Sequence, residues 1–247
     1  MFSRSAALGA ATLLTLGLGT ANAGGWGGYY IGLNVGTGSS ETDTTRTITS
    51  NSYFLPANLT AVEAASAMSL EQETFVGGAQ IGVNWPLSEY LMAGFELDAA
   101  GFGNDVSGSA TVVYPASGPA TFTTSNSLEQ SWLGTARLRV AITTNWFMIY
   151  GTGGYAGSDI KFTQTFSDSL GIPMQRVENS EFRSGYSLGG GIEIMIESGA
   201  SIRVEYLHLD LGDIEARGPI ATGTTTSNGR AEVTDELIRA GINFQID

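Results

Sequence analysis

The sequence predicts an all-β protein, an eight-stranded antiparallel up-and-down transmembrane β-barrel. Three observations lead there. Eight runs alternate apolar and polar residues at the period of two that marks a strand with one apolar face. The joints between the runs alternate between tight turns and long polar stretches. All six prolines (Pro56, Pro86, Pro115, Pro119, Pro173 and Pro219) fall outside the runs. A closed, even-stranded barrel is one of two folds that cross a bilayer with every backbone group satisfied.

The first strand is expected over Tyr29–Gly36, where Tyr29, Ile31, Leu33 and Val35 alternate with Tyr30, Gly32 and Asn34. A Ser/Thr-rich loop is expected over about 37–73, with a short surface helix possible in its Ala-rich half, 59–72. The second strand, about 74–85, sets Phe75, Ala79, Ile81 and Val83 on one face, and Pro86 opens a tight turn. The third, from Tyr90, has Leu91, Ala93, Phe95 and Leu97 opposite Glu96 and Asp98. A long loop is expected over about 102–126.

The fourth strand alternates most regularly: Trp132, Gly134, Ala136, Leu138, Val140 and Ile142 face away from Thr135, Arg137 and Arg139. After the turn at Thr143–Asn145, the fifth strand runs from Trp146 to about Ala156, and a loop is expected to about Ser180. The sixth carries Tyr186, Leu188, Ile192, Ile194 and Ile196 opposite Glu193. After a turn at 197–200, the seventh sets Ile202, Val204 and Tyr206 against Arg203 and Glu205. A fourth long loop is expected over about 212–230. The eighth sets Ile238, Ala240, Ile242, Phe244 and Ile246 against Arg239, Asn243 and Gln245.

Composition fits this layout. The chain has 247 residues, a net charge of -13, no cysteine and only 14% charged residues. Beyond the N-terminus no apolar run is long enough for a membrane helix. Residues 1–23 read as a signal peptide: Arg4, an apolar stretch over 6–18, and a small-x-small site at Ala21-Asn22-Ala23. The barrel domain is expected over 24–247. The acidic balance excludes a nucleic-acid surface, which needs clustered Lys and Arg.

The polar faces carry the candidate site. Glu96, Asp98, Glu193 and Glu205 stand with Arg137, Arg139, Arg203 and Arg239, four acids and four arginines, all opposite the apolar faces. An eight-stranded barrel is just wide enough for side chains to fill it, so these charges are expected to pair inside it. Trp26, Trp85, Trp132 and Trp146 fall at strand ends and are expected at the membrane interfaces. Short turns on one side and long loops on the other put both termini in the periplasm.

Chemistry is sparse. Gly151-Thr-Gly-Gly-Tyr-Ala156 matches a dinucleotide fingerprint, but no helix follows to hold a pyrophosphate. The single histidine, His208, continues the outward alternation of Tyr206 near the outer rim and is expected at the interface; a haem or metal ligand role is the sharper alternative. One histidine and no cysteine cannot close a zinc site. Asp210, Asp213 and Glu215 could hold a hard cation only loosely. No cofactor and no catalytic residues are expected.

The segments Trp26–Gly36, Trp132–Val140, Tyr150–Ala156, Tyr186–Glu193, Val204–Gly212 and Arg239–Phe244 together resemble the small outer-membrane β-barrel family of alphaproteobacteria, the porin-family or opacity-type surface proteins. The resemblance covers every strand but not the loops. It implies a structural or surface-interaction role; some relatives are described as porins and some as haem-binding surface proteins. Such barrels usually end on an aromatic residue, where this chain has Ile246 and Asp247, which implies a weaker assembly signal.

The expected protein is a non-catalytic, monomeric barrel that displays four long loops outside the cell. Its partners would be outer-membrane lipid and lipopolysaccharide, the barrel-assembly machinery, and an extracellular ligand of the loops. The rival readings are a haem or small-ligand receptor and a narrow low-conductance channel.

Overall fold

The computed structural model describes residues 25–197, 199–221 and 224–246. The expected signal peptide, residues 1–23, lies outside them. Eight antiparallel strands close in sequence order into one barrel: β1 (Gly28–Ser50), β2 (Met68–Pro86), β3 (Leu91–Val113), β4 (Thr121–Thr143), β5 (Phe147–Asp168), β6 (Gln175–Glu197), β7 (Ala200–Pro219) and β8 (Thr226–Ile246). The first and last strands close the ring, Tyr29 opposite Ile246. Both described ends of the chain therefore lie at the tight-turn end.

Most of the four long loops are strand. The strands are 19 to 23 residues long, about twice the 9–11 residues that cross a bilayer. The residues expected as loop over 37–73, 102–126, 157–180 and 212–230 extend the barrel wall. Little but the tips remains irregular, such as the stretches 114–120 and 169–174. The helix is α1 (Pro56–Ala65), earlier in sequence than the expected 59–72. It is not a surface helix: Asn58 and Val62 are buried against the interior.

The wall changes character partway up. In the lower half the outside is apolar, with Leu33, Leu138, Val140, Ile142 and Val204 exposed. In the upper half the phase inverts. Val106, Leu128, Ile160, Phe162, Phe166, Ile214 and Val233 point inward and are buried, while Glu41, Ser109, Glu129 and Glu215 face out. Along β7 the switch falls between neighbouring residues: Tyr206 faces out, and Leu207, Leu209 and Leu211 face in.

Pairing changes at about the same level. The β2–β3 ladder ends at Val76↔Phe102 and the β6–β7 ladder at Tyr186↔Asp210. The other ladders continue almost to the tips, to Ser50↔Thr226, Val113↔Thr121 and Phe166↔Gln175. Above the apolar belt, then, the barrel divides into two four-stranded leaves, β2-β1-β8-β7 and β3-β4-β5-β6, around an apolar filling. The cap of that filling is aromatic. Phe54 meets Phe166 edge-on at 5.6 Å between ring centroids, and Tyr114 lies 4.9 Å from Phe122.

Candidate functional site: the charged lumen

The lower lumen holds the charged residues because each strand places alternate side chains inward. All eight are buried. Arg137 donates to Glu96 and, at 3.0 Å, to Glu205. Arg203 donates to Glu96 at 2.6 Å. Arg239 bridges Asp98, at 2.9 and 3.0 Å, and Glu205, at 2.6 Å. Arg139 reaches Glu193 at 3.3 Å. Four acids and four arginines thus form one neutral, interleaved network. In a low-dielectric interior each charge needs such partners to offset its lost hydration.

Residues not singled out from the sequence complete it. The Tyr30 hydroxyl donates to Glu96 at 2.6 Å and accepts from Arg139 at 3.0 Å. The Tyr150 hydroxyl donates to Glu205 at 3.0 Å. The Arg139 guanidinium lies 4.6 Å from the Tyr150 ring centroid and 5.4 Å from that of Tyr30, within cation–π range. Asn34, Gln80 and Asn243 form a hydrogen-bonded chain that ends on Glu193. Their signal was parity: Tyr30 and Asn34 share the inward phase. Gly82 and Gly191 make room for the two rings. A Cβ on Gly82 would stand 2.4 Å from the Tyr30 ring, and one on Gly191 2.6 Å from the Tyr150 hydroxyl.

Trp26 is not an interfacial residue. It is 2% exposed and packs inside the turn end against Met92, Met148 and Tyr150. Its indole N–H donates to the Thr144 carbonyl at 2.7 Å, and Asn84 donates to the Trp26 carbonyl at 3.0 Å. Gly25 and Gly28, at φ 85° and 107°, supply the backbone bend that turns the chain inward. The other three tryptophans lie on the outside. Trp85 is half-buried on the belt, and Trp146 is exposed at a turn. Trp132 stacks on Phe182 and donates to Asp159 at 3.1 Å.

His208 faces outward on β7, with Nδ1 3.9 Å from Glu236 and its ring 6.3 Å from that of Tyr186. The three acids weighed as cation ligands are engaged otherwise. Asp210 accepts from the Gly212 N–H, Asp213 pairs with Arg230 and Glu215 with Arg217. Residues 151–156 lie within β5, without a following helix.

Two buried charges of the upper half stand apart from the network. Asp235, one turn of the pleat above the belt, accepts from Gln130 at 3.1 Å. Burial pushes its carboxyl up to about 6. Arg46 donates to Gln164 and to the Thr165 carbonyl, and burial lowers it to about 10.

Comparison with known sequences agrees with this architecture. A family model described as "Outer membrane protein beta-barrel domain" matches residues 8–233. A 31 kDa outer-membrane immunogenic protein of Brucella melitensis is 27% identical over 221 residues, 89% of this chain and 83% of the relative. A 22 kDa outer membrane protein of Rhizobium leguminosarum is 28% identical over 142 residues, 57% of this chain and 55% of its own. Among solved structures, the outer membrane protein OprG from Pseudomonas aeruginosa has a TM-score of 0.48 at 14% identity, covering 89% of this chain and 98% of that one.

Proposed function

Since the chain belongs to the outer membrane protein β-barrel domain family and resides in the outer membrane, we propose that it is a closed, non-catalytic barrel that displays a rigid polar surface outside the cell. The observation that carries this reading is the inversion of the wall. The lower half is built for lipid, and the upper half, with a polar outside and an apolar filling, is built for water. Display is therefore a property of the wall and its short tips rather than of four long loops. The tight-turn end, with both described chain ends, faces the periplasm, as short turns do in such barrels.

The immunogenic character in the name of the Brucella relative fits a surface reached from outside. The absence of enzymatic work is supported by the lone imidazole, which faces Glu236 and Tyr186 rather than a nucleophile. The same surroundings favour an interfacial His208 over a haem ligand. Assembly machinery, lipopolysaccharide and a ligand of the outer tips remain the partners this reading implies, with the barrel acting as a monomer.

A natural chain without cysteine makes the topology directly testable. Single cysteines at Thr111, on the upper outside, and Leu138, on the belt, are treated on intact cells with a membrane-impermeant maleimide. Labelling of Thr111→Cys alone is expected. Labelling of neither, or of Leu138→Cys alone, overturns the display reading.

A further inference from the structure

Among the described residues five arginines are buried: Arg46, Arg137, Arg139, Arg203 and Arg239. The last four meet carboxylates in the lower lumen. Arg46 meets none. It points inward from β1 in the upper half, above the belt, and is 3% exposed. An arginine stays charged at neutral pH and carries five N–H donors. Two of them are used, on neutral acceptors and at long range. Nε donates to the Gln164 side chain at 3.2 Å, and Nη2 donates to the Thr165 carbonyl at 3.3 Å. The third nitrogen, Nη1, is buried without a protein partner. A buried cation in this state lacks what offsets its lost hydration.

The surroundings hold the guanidinium in place. Gln164 is fixed in turn: its Nε2 donates to Asn126 Oδ1 at 2.9 Å and to the Thr45 carbonyl at 3.3 Å. Gly229 is the cross-strand partner of Arg46, and a Cβ there would collide with the Gln164 amide. One inward position further up β8 stands Ser227, opposite Ile48. Its hydroxyl is likewise buried without a protein partner. The acids of the upper interior are committed elsewhere. Asp168 accepts from the Tyr53 and Tyr114 hydroxyls and from the Leu170 and Ile172 N–H groups. Asp235 accepts from Gln130.

We propose that Arg46 and Ser227 bind a small monovalent anion of the chloride class inside the upper half. Nη1 and the serine hydroxyl are donors with no acceptor of their own, and one positive charge calls for one negative charge. A water molecule bridging the same donors would leave that charge unbalanced. A large oxyanion would find no further donors for its oxygens, because the surroundings belong to the apolar filling, Phe162 and Phe166 among them. Arg46 also crosses between the two leaves, from β1 to β5. An anion bound to the folded barrel alone therefore stabilises the joint between the leaves.

The test compares urea unfolding of the full barrel in lipid vesicles, in sodium chloride and in sodium gluconate of equal ionic strength. Gluconate is a bulky organic anion and serves as the control. Chloride at about 100 mM is expected to lower the wild-type unfolding constant about tenfold, as for a site with a dissociation constant of about 10 mM. Arg46→Met should behave alike in the two salts. Ser227→Ala, which keeps the charge and loses one donor, should show a reduced difference. Wild-type crystals grown in sodium bromide should show an anomalous peak beside Arg46 Nη1, a readout that needs no variant to fold. Equal wild-type stability in the two salts, a chloride response that survives in Arg46→Met, or water in place of bromide at Arg46 overturns the proposal.

Discussion

At the scale of single residues, the lumen charges behave as a unit. Arg239 touches Asp98 and Glu205, and its side chain is 1% exposed. Removing it in Arg239→Met leaves Asp98 buried without its cation, which costs about 3–5 kcal/mol. Glu205 keeps Arg137. In Arg239→Met/Asp98→Asn, where both charges are gone, most of that loss is expected to return; urea unfolding in lipid vesicles measures both. Asp235 runs the other way. Its carboxyl is raised, so the folded chain holds the proton more tightly than the unfolded one. Its contribution is complete below the ordinary carboxylate value near 4 and is lost as pH rises through about 6. At pH 8 it therefore weakens the fold. Asp235→Asn should raise stability there by about 3 kcal/mol and flatten the dependence between pH 4 and 6.

At the scale of elements, α1 depends on its packing. Ten residues are too few to hold a helix alone, and its first turn has Pro56 but no side-chain cap. Val62, fully buried under the aromatic cap, supplies its apolar anchor, while Asn58 bonds Ser117 and the Ala116 N–H and Glu63 accepts from the Ile48 N–H. Val62→Asp puts an unpaired charge there, and the helix should leave the opening. Protease cleavage within 51–67 on intact cells should then increase while the barrel keeps its folded gel mobility; unchanged cleavage would show that the helix is held from elsewhere. Elements also show where sequence reading reached its limit. The lower strands were legible because a wall between lipid and a charged lumen alternates strongly, as Trp132 to Ile142 does. Residues 37–50 alternate just as regularly in space, yet both faces are polar: Ser40, Thr42, Thr44 and Arg46 point in, and Ser39, Glu41 and Asp43 point out. No contrast remains to read. Elsewhere the contrast survives with its phase reversed, so the Leu residues of Tyr206–Leu211 cannot be assigned by assuming one apolar face per strand. Trp26 was misplaced for another reason. It precedes β1, so no alternation sets its direction; two glycines and the Thr144 carbonyl do.

At the scale of the whole molecule, the lumen is stopped twice by unlike materials. The lower stopper is the Arg–carboxylate network with Trp26 beneath it; the upper is the apolar filling between the two leaves, with α1 and the aromatic cap on top. A channel needs a continuous path wide enough for hydrated ions, and on the closed-barrel proposal this filled lumen offers none. Because the stoppers lie in series, opening one leaves the other shut. Arg137→Ala on its own, which frees a side chain's volume in the lower lumen, should leave planar-bilayer current at the baseline of the wild type. So should Phe162→Ala/Phe166→Ala, which thins only the upper filling. Only the triple variant breaches both, and it alone is expected to pass steady current. Current from the wild type, or from Arg137→Ala by itself, would mean that the upper filling parts in the membrane, and would return the narrow-channel reading to first place.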